Sequence, residues 1–440
     1  MVLPAYVTEC IAALENAGYE AWCVGGCVRD DCLGLQPADF DLCTSALPEQ
    51  TEGVFSGCSL VLAGKKHGTV GVVTEGGVVE ITTFRTEGAY RDNRHPDWVE
   101  FVTNVEADLA RRDFTVNAMA WSPSRGFADP FGGQADLQNK VLRAVGDPVQ
   151  RFREDSLRIL RGVRFAVRFG LTVENKTLAA MESEAGLMEN LARERVFEEL
   201  CKLLPLVTAE DLARFAPILG AVLPPLQAQI GFHQHSPHHA YDIFTHTAHV
   251  VEAVPGELPL RWAALLHDIG KVPTFTLDED GRGHFLGHAS LGAEMADTLL
   301  RQLKAPNILR EQAVALIKHH MTKLPEDKKL LRRWIGRLGW EMLDKLLTLQ
   351  EADMGSKGTG KPAEMDQFPH IRALLAEIRQ EESCLSLRDL AVNGRDLMAL
   401  GLQGKSIGQT LNALLEQVLD EQLPNDRDAL MEAARTLPLL

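Results

Sequence analysis

Near Pro148 the chain changes its hydrophobic period, and this break constrains the fold more than any other feature. From about Tyr19 to Val145 the apolar residues come in short runs. YEAWCV is strand-length and is ended by Gly25-Gly26, and a helix is expected from about Val28. ADFDL reads as a second strand, and HGTVGVVTEGGVVEITTF as a hairpin turning at Glu75-Gly76-Gly77. Beyond Pro148 the apolar positions recur with a period of 3.6, so DSLRILRGVRFAVRF and RERVFEELCKLL are amphipathic helices. The histidine-rich stretch GFHQHSPHHAYDIFTHT opens a further helical block ending near Met354. MGSKGTGKPAEMDQFPH reads as a loop, and helix resumes from about Leu385. An α/β unit followed by a helical body, over 440 residues, implies two to four domains.

Composition sets limits on function. Hydrophobic residues at 45% and charged residues at 24% are ordinary for a soluble globular chain. No apolar run reaches the roughly 18 residues a membrane span needs. The opening MVLPAYVTECIAALENAG reads as an amphipathic helix and not a signal peptide, so a cytoplasmic location is expected. Among the eight cysteines, Cys23, Cys27, Cys32 and Cys43 cluster loosely without paired CxxC spacing, and free thiols explain them better than zinc. A net charge of -16 excludes a generally basic coat, so nucleic-acid binding would need a local basic surface. RFREDSLRILRGVRFAVRFG offers one: Arg151, Arg153, Arg158, Arg161, Arg164 and Arg168 are opposed locally only by Glu154 and Asp155.

Two constellations carry chemistry in the first half. If ADFDL is a strand, Asp39 and Asp41 share one face. Adjacent carboxylates repel unless a cation lies between them, and Mg²⁺ suits such ligands while also binding triphosphates. The preceding strand, glycine pair and helix would offer backbone N–H groups to those phosphates, with Arg29 pairing to an oxygen. Glu80 is a candidate third carboxylate for attack of a hydroxyl on an α-phosphorus. The plainer alternatives are a surface turn with solvated aspartates and an exposed strand glutamate. In the second constellation, Asp155 and Arg158 stand three residues apart on an expected helix, with Arg161 and Arg164 continuing their face. A carboxylate acceptor beside a guanidinium donor can match the amino group and ring nitrogen shared by cytosine and adenine. An ordinary surface salt bridge is the alternative. Arg111, Arg112, Asp113 and Asn117 offer phosphate or ribose contacts, unless Asp113 simply caps a following helix.

These motifs occur in one order: VGGCVRD with DFDL, EITTFRTEGAYRDNRHPDWVEFV, RRDFTVNAMA, DPFGGQADLQNKVLRAVGDP, REDSLRILRGVRF and RERVFEELCKLL. Over roughly residues 20–205 the chain resembles the bacterial class II CCA-adding enzymes of the polymerase beta-type nucleotidyltransferase superfamily. The resemblance implies template-independent addition and repair of the 3′-terminal CCA of tRNA from CTP and ATP, with Mg²⁺ and release of pyrophosphate. It implies Asp39 and Asp41 as Mg²⁺ ligands and Glu80 as the third acidic position. Gly26 and Arg29 match the nucleotide-binding turn, and Arg112, Asp113 and Asn117 the ribose and triphosphate region. Asp155 and Arg158 match the amino-acid template, with Arg161 and Arg164 as further nucleotide contacts. The segment between Arg85 and Val99 is full-length, which favours complete CCA addition over CC alone.

A further cluster includes His246, His267, Asp268, His284, His288, His319, His320 and Asp353. Mixed His and Asp ligands suit a divalent metal. The pattern resembles the HD domain, a helical metal-dependent phosphohydrolase fold, with His246, His267, Asp268 and Asp353 as core ligands. His288 and either His319 or His320 would then hold a second metal. The fold implied is α+β: a mixed α/β nucleotidyltransferase head (1–145), a helical nucleotide- and RNA-binding neck (146–235), an HD domain (236–360) and a helical tRNA-binding tail (361–440). Gly404 and Lys405 precede a helix of that tail where a tRNA phosphate would dock, or they belong to a plain helix-loop-helix. A monomer or homodimer is expected. Other readings are a poly(A) polymerase, a phosphohydrolase acting on RNA ends, a regulatory protein-uridylylating enzyme and a non-catalytic RNA-binding protein.

Overall fold

The computed structural model describes residues 1–87, 99–360, 363–381, 384–420 and 422–436. Most of the Arg85–Val99 segment, which bears on CCA against CC addition, lies outside the described residues. The chain divides into two compact units, Met1–Ala228 with Gln302–Lys304, and Gln229–Arg301 with Ala305–Leu440.

The first unit opens with helix α1 (Ala5–Asn16) and builds a seven-stranded mixed sheet. Its strands are β1 (Ala21–Val24), β2 (Leu42–Thr44), β3 (Leu60–Val61), β4 (Thr69–Thr74), β5 (Gly77–Thr83), β6 (Ala120–Ser122) and β7 (Gly126–Ala128). Their order is β3-β4-β5-β2-β1-β6-β7. The hairpin pairs Thr74 with Gly77, as the Glu75-Gly76-Gly77 turn signal requires. β2 runs parallel to β5 with Leu42 beside Ile81, and antiparallel to β1. Trp22, Val24, Phe84, Leu109, Ala118 and Ala120 form the core against one face of this sheet. Along β5, Val79 and Ile81 are buried while Glu80 is exposed, the period-2 alternation of a half-buried strand. Between β1 and β2 lies helix α2 (Gly26–Cys32).

The helical part starts where the period changes. The Asp147 carboxylate accepts from Val149 N at 2.9 Å, and Pro148 occupies the first helical position of α3 (Pro148–Glu154). The expected single helix through EDSLRILRG is in fact broken. Asp155 is extended (φ -144, ψ 102) and its Oδ1 accepts from Leu157 N at 3.1 Å, so α4 (Leu157–Phe169) begins anew. A short carboxylate competes for backbone N–H groups, and here it wins. α4 packs on α5 (Arg193–Leu203). RRDFTVNAMA likewise holds only the 3₁₀ turn Thr115–Asn117 and no longer helix.

The second unit is almost wholly helical. Its site-bearing helices are α6 (Ile243–Ala253), α7 (Leu258–Leu266), α8 (His288–Gln302), α9 (Asn307–His319), α10 (Lys328–Leu338) and α11 (Trp340–Gly355). The expected loop after Met354 is shorter than its composition implies, because α12 (Gln367–Gln380) starts within it. α13 (Lys405–Leu419) follows Gly404 as read.

Candidate active site and metal centre

In the first unit the glycine turn sets the geometry. Gly25 has φ +74, and a Cβ there would lie 2.7 Å from Arg112 Nη1, so only glycine lets that guanidinium lie over the turn. Arg112 is held from below by the buried Asp108, at 3.4 Å. Asp39 and Asp41 do not lie in a strand, since β2 begins at Leu42. They occupy the exposed approach to it, and the parallel register puts Asp41 beside Glu80. Packing on one side of the Asp41 carboxyl, then the charges of Asp39 and Glu80, push it up to about 6, with Arg112 opposing. The charges of Asp39 and Glu80 thus act on Asp41 opposite a guanidinium, an arrangement a divalent cation would relieve, although the ligand atoms of the three do not all lie within 4.8 Å of one another.

Arg29 is buried. Its Nη1 donates to Asn117 Oδ1 at 2.6 Å, its Nη2 to Asp30 at 2.6 Å, and its guanidinium lies 4.4 Å from the Phe169 ring centroid. Asn117 Nδ2 donates to Asp113 Oδ1 at 3.0 Å, and Arg161 pairs with Asp113 Oδ2 at 2.8 Å. Burial alone would raise the Asp113 carboxyl, but Arg161, Asn117 and Arg158 outweigh it and hold it at about 2. Arg29, Asn117, Asp113 and Arg161 therefore form one chain of charge-assisted bonds that fixes the turn against α4. Asp113 is not a helix cap.

Asp155 and Arg158 are not paired with each other. Asp155 is gripped by Arg195 of α5 at 2.8 Å, while Arg158 donates to Glu154 at 2.6 Å and to the carbonyl oxygens of Arg111 and Arg151, each at 3.1 Å. Their backbones stay in one turn, with Arg158 N donating to Asp155 O at 3.0 Å. The basic stretch is also less open than its sequence implies. Arg153 meets Glu184 at 2.9 Å, Arg161 meets Asp113, and Arg164 meets Glu199 at 2.6 Å. Those partners are distant in sequence, so local reading missed them, as it missed Arg195 and Asp108.

The second unit brings His246, His267, Asp268, His288, His320 and Asp353 together; all but the half-buried Asp353 are buried. His246 Nε2 lies 3.0 Å from Asp353 Oδ1 and 3.7 Å from Asp268 Oδ2. His267 Nε2 lies 3.2 Å from Asp268 Oδ2, and His288 and His320 Nε2 lie 3.6 and 3.8 Å from Asp268 Oδ1. Two groups of ligand atoms result, His246–His267–Asp268 and Asp268–His288–His320, sharing one aspartate. Each histidine turns Nδ1 to a backbone carbonyl: Ser356 for His246, Ala264 for His267, Phe285 for His288 and Ile317 for His320. That bond selects the tautomer whose Nε2 lone pair faces inward, as metal ligation requires. His267 Nε2 has no hydrogen-bond partner among the described residues. Burial lowers His288 and His320, the latter to about 4, which keeps them neutral ligands. Burial would raise Asp268, but in the metal-free cluster His267, itself raised against its burial by the Asp268 charge, and Lys271, whose Nζ is 2.7 Å away, hold it well below the usual carboxylate range; a bound cation would take the place of the His267 proton. A Cβ on Gly270 would overlap the His288 carbonyl, so this glycine permits the close approach. His319 stands outside the cluster, edge-on to Trp334, and the exposed His284 pairs with Asp278.

A mixed sheet presenting acidic residues beside a glycine turn, followed by helices, defines a nucleotidyltransferase. Residues 21–143 match the poly A polymerase head domain, 170–210 the RNA- and SrmB-binding site of polymerase A, and 279–434 the tRNA nucleotidyltransferase domain 2. The CCA-adding enzyme of Streptococcus mutans is 33% identical over 98% of this chain and 98% of its own length. The crystal structure of the Bacillus stearothermophilus CCA-adding enzyme in complex with CTP is 29% identical, covers 99% of each chain and superposes with a TM-score of 0.67. The Thermotoga maritima CCA-adding enzyme complexed with tRNA CCA, at 20% identity over 99% of this chain and 96% of its own, shares the fold with a TM-score of 0.59. The chain belongs to the family of CCA-adding enzymes.

Proposed function

We infer that the Asp39–Asp41–Glu80 face is the transfer centre of this CCA-adding enzyme. The chain is a tRNA nucleotidyltransferase that adds the 3′-terminal CCA of tRNA from CTP and ATP. The observation that carries the assignment of the centre is that Asp41 feels its own packing and then the charges of Asp39 and Glu80, opposed by Arg112 at the Gly25 turn. Asp39 and Asp41 would hold Mg²⁺, which when bound offsets triphosphate charge and eases deprotonation of the attacking hydroxyl. Glu80 sits beside them as a further acceptor. Arg112 and the Gly25-Gly26 turn face the triphosphate, while Arg29, Asn117, Asp113 and Arg161 keep the turn in place. Asp155 and Arg158 read the base, the carboxylate accepting from the amino group and the guanidinium donating to the ring nitrogen. That role needs Arg158 to exchange its Glu154 partner for the nucleotide. Arg164 supports the same helix through Glu199.

The chain is read as a head (1–145), a neck (146–235), an HD-type domain (236–360) and a tail (361–440), working in the cytoplasm as a monomer or homodimer. His246, His267, Asp268 and Asp353, with His288 and His320, would bind divalent metal and support phosphohydrolase chemistry on RNA ends. The fit of the inward Nε2 lone pairs supports this second centre. Incubating the protein with tRNA trimmed of its CCA, Mg²⁺ and each nucleoside triphosphate in turn tests the first centre. Ordered incorporation of two C and one A is expected, and ATP alone extending the trimmed end repeatedly would overturn the reading in favour of poly(A) synthesis.

A further inference from the structure

The second unit has a feature that neither centre uses. The chain carries a net charge of -16, yet a cleft is lined by Lys323, Pro325, Leu330, Arg333, Trp334 and Arg337, with no carboxylate among the described residues of its wall. Arg333 is tied to Asp420 at 2.6 Å. Among the described residues no carboxylate lies within ion-pair distance of Lys323 or Arg337. Trp334 is half-buried, with the Arg337 guanidinium 5.5 Å from its ring centroid and the His319 ring edge-on at 5.5 Å. Lys323 also lines an adjoining cleft of ≈ 670 Å³ whose wall includes His320 and Asp353 of the histidine–aspartate cluster and the apolar side chains of Phe368 and Ile371. One lysine is thus common to both clefts, and the second cleft reaches the cluster.

Cations without carboxylate partners beside a tryptophan offer what single-stranded nucleic acid needs: charges for the phosphates and a ring face for an unstacked base. A duplex keeps its bases stacked and cannot use the ring. RNA is favoured because tRNA is the substrate of the family's reaction. We propose that the Trp334–Arg337–Lys323 cleft binds single-stranded RNA and leads its terminal nucleotide past Lys323 to the His320–Asp353 side of the metal cluster. Only the destination of the strand rests on reading that cluster as a metal centre; the binding cleft stands without it.

The test uses the full chain and a short single-stranded RNA carrying 4-thiouridine. Photocrosslinks are expected in the peptides containing Lys323 and Trp334, and excess nucleoside monophosphate should not displace the RNA from Trp334. Lys323→Glu with Arg337→Glu should lower the slope of log affinity on log salt by about 0.7 per charge, and Trp334→Leu should weaken binding by roughly tenfold without changing that slope. Circular dichroism and a melting temperature matching the parent would show that the variants are folded. Crosslinks confined to the first unit, or a salt slope unmoved by the charge reversals, would overturn the proposal. Displacement by monophosphate would overturn it in favour of a mononucleotide pocket. Metal content measured alongside separates the two readings: crosslinks without bound metal sink the metal centre alone, and bound metal without crosslinks sinks the cleft alone.

Discussion

Arg195 on α5 grips Asp155 across a gap of 40 residues, its Nη2 2.8 Å from Oδ2 and its Nη1 3.3 Å from Oδ1. Asp155 stands where the helical path breaks, so nothing in its own backbone fixes its carboxylate plane except the bond from Leu157 N. Arg195 supplies the second restraint, and two-point contact with a planar guanidinium sets orientation as well as position.

Replacing Arg195 with Ala should therefore disturb base choice more than stability. The pair is partly exposed, which limits its stabilising effect to about 1 kcal/mol or less. If Asp155 reads the base, discrimination of CTP and ATP against UTP and GTP should drop by roughly tenfold, the size of one hydrogen-bond contribution. Arg195→Lys, which keeps the charge but loses the planar fork, should lie in between. Misincorporation measured on trimmed tRNA checks this, and unchanged selectivity in Arg195→Ala would refute the positioning role.

The Asp113–Arg161 pair predicts a pH dependence of stability in the first unit. The folded Asp113 carboxyl, at about 2, lies below its unfolded value near 3.9. Its ionised form thus stabilises the fold above about pH 4, and that contribution is lost as pH falls toward 2; a gap of nearly two units amounts to about 3 kcal/mol. Asp113→Asn should lose that amount at neutral pH and show a flatter decline between about pH 4 and pH 2. Urea unfolding of both proteins across that range is the measurement. Parallel curves would mean that Asp113 titrates alike in the folded and unfolded chains.

These two pairs also show how far the sequence could be read. Elements with a strong local signature were legible: the Glu75-Gly76-Gly77 hairpin, the Pro148 helix start and the amphipathic α4. Asp39, Asp41 and Glu80 could be grouped only through the family resemblance: the shared strand face read for the two aspartates does not hold, because β2 starts one residue beyond Asp41, and the pairing of β2 with β5 follows from no local period. What stayed hidden were the partners. Glu184, Glu199, Asp113 and Arg195 reach the 151–168 stretch from other elements, and no spacing rule links them. The break at Asp155 was hidden because helix period continues across it. A single carboxylate bond to Leu157 N decides it, and such competition is settled by tertiary context. The choice of His320 over its neighbour His319 was beyond reach because it depends on how α9 ends, which a run of two histidines does not encode.

Asp41→Asn should separate function from stability at the transfer centre. Asp41 is raised by packing and by its neighbours Asp39 and Glu80, so a neutral isostere removes repulsion instead of a favourable contact. Thermal stability should stay level or rise slightly, while nucleotide transfer falls by at least about a thousandfold with loss of the metal-binding carboxylate. Asp39→Ala should match it in activity, and tRNA binding should survive in both. Normal incorporation by either variant would remove the metal role from these residues.

Metal removal should act on the second unit and spare transfer. Buried imidazoles with inward lone pairs around Asp268 gain their main favourable interaction only when a cation is bound. A metal present at about a hundred times its dissociation constant stabilises the folded form by about 2.7 kcal/mol. Chelation followed by return of Mg²⁺ alone should lower the melting temperature of this unit, and added Mn²⁺, Zn²⁺ or Fe²⁺ should restore it to different extents, mixed His and Asp ligands favouring transition metals over Mg²⁺. His267→Ala and Asp268→Ala should abolish that recovery and the bound metal found by elemental analysis, because both ligand groups share Asp268 and one depends on His267. CCA addition by both variants should remain within about twofold of the parent, since neither residue belongs to the unit that carries Asp39 and Asp41. Equal recovery of parent and variants with every metal would show that the cluster is a packed polar core that binds no ion.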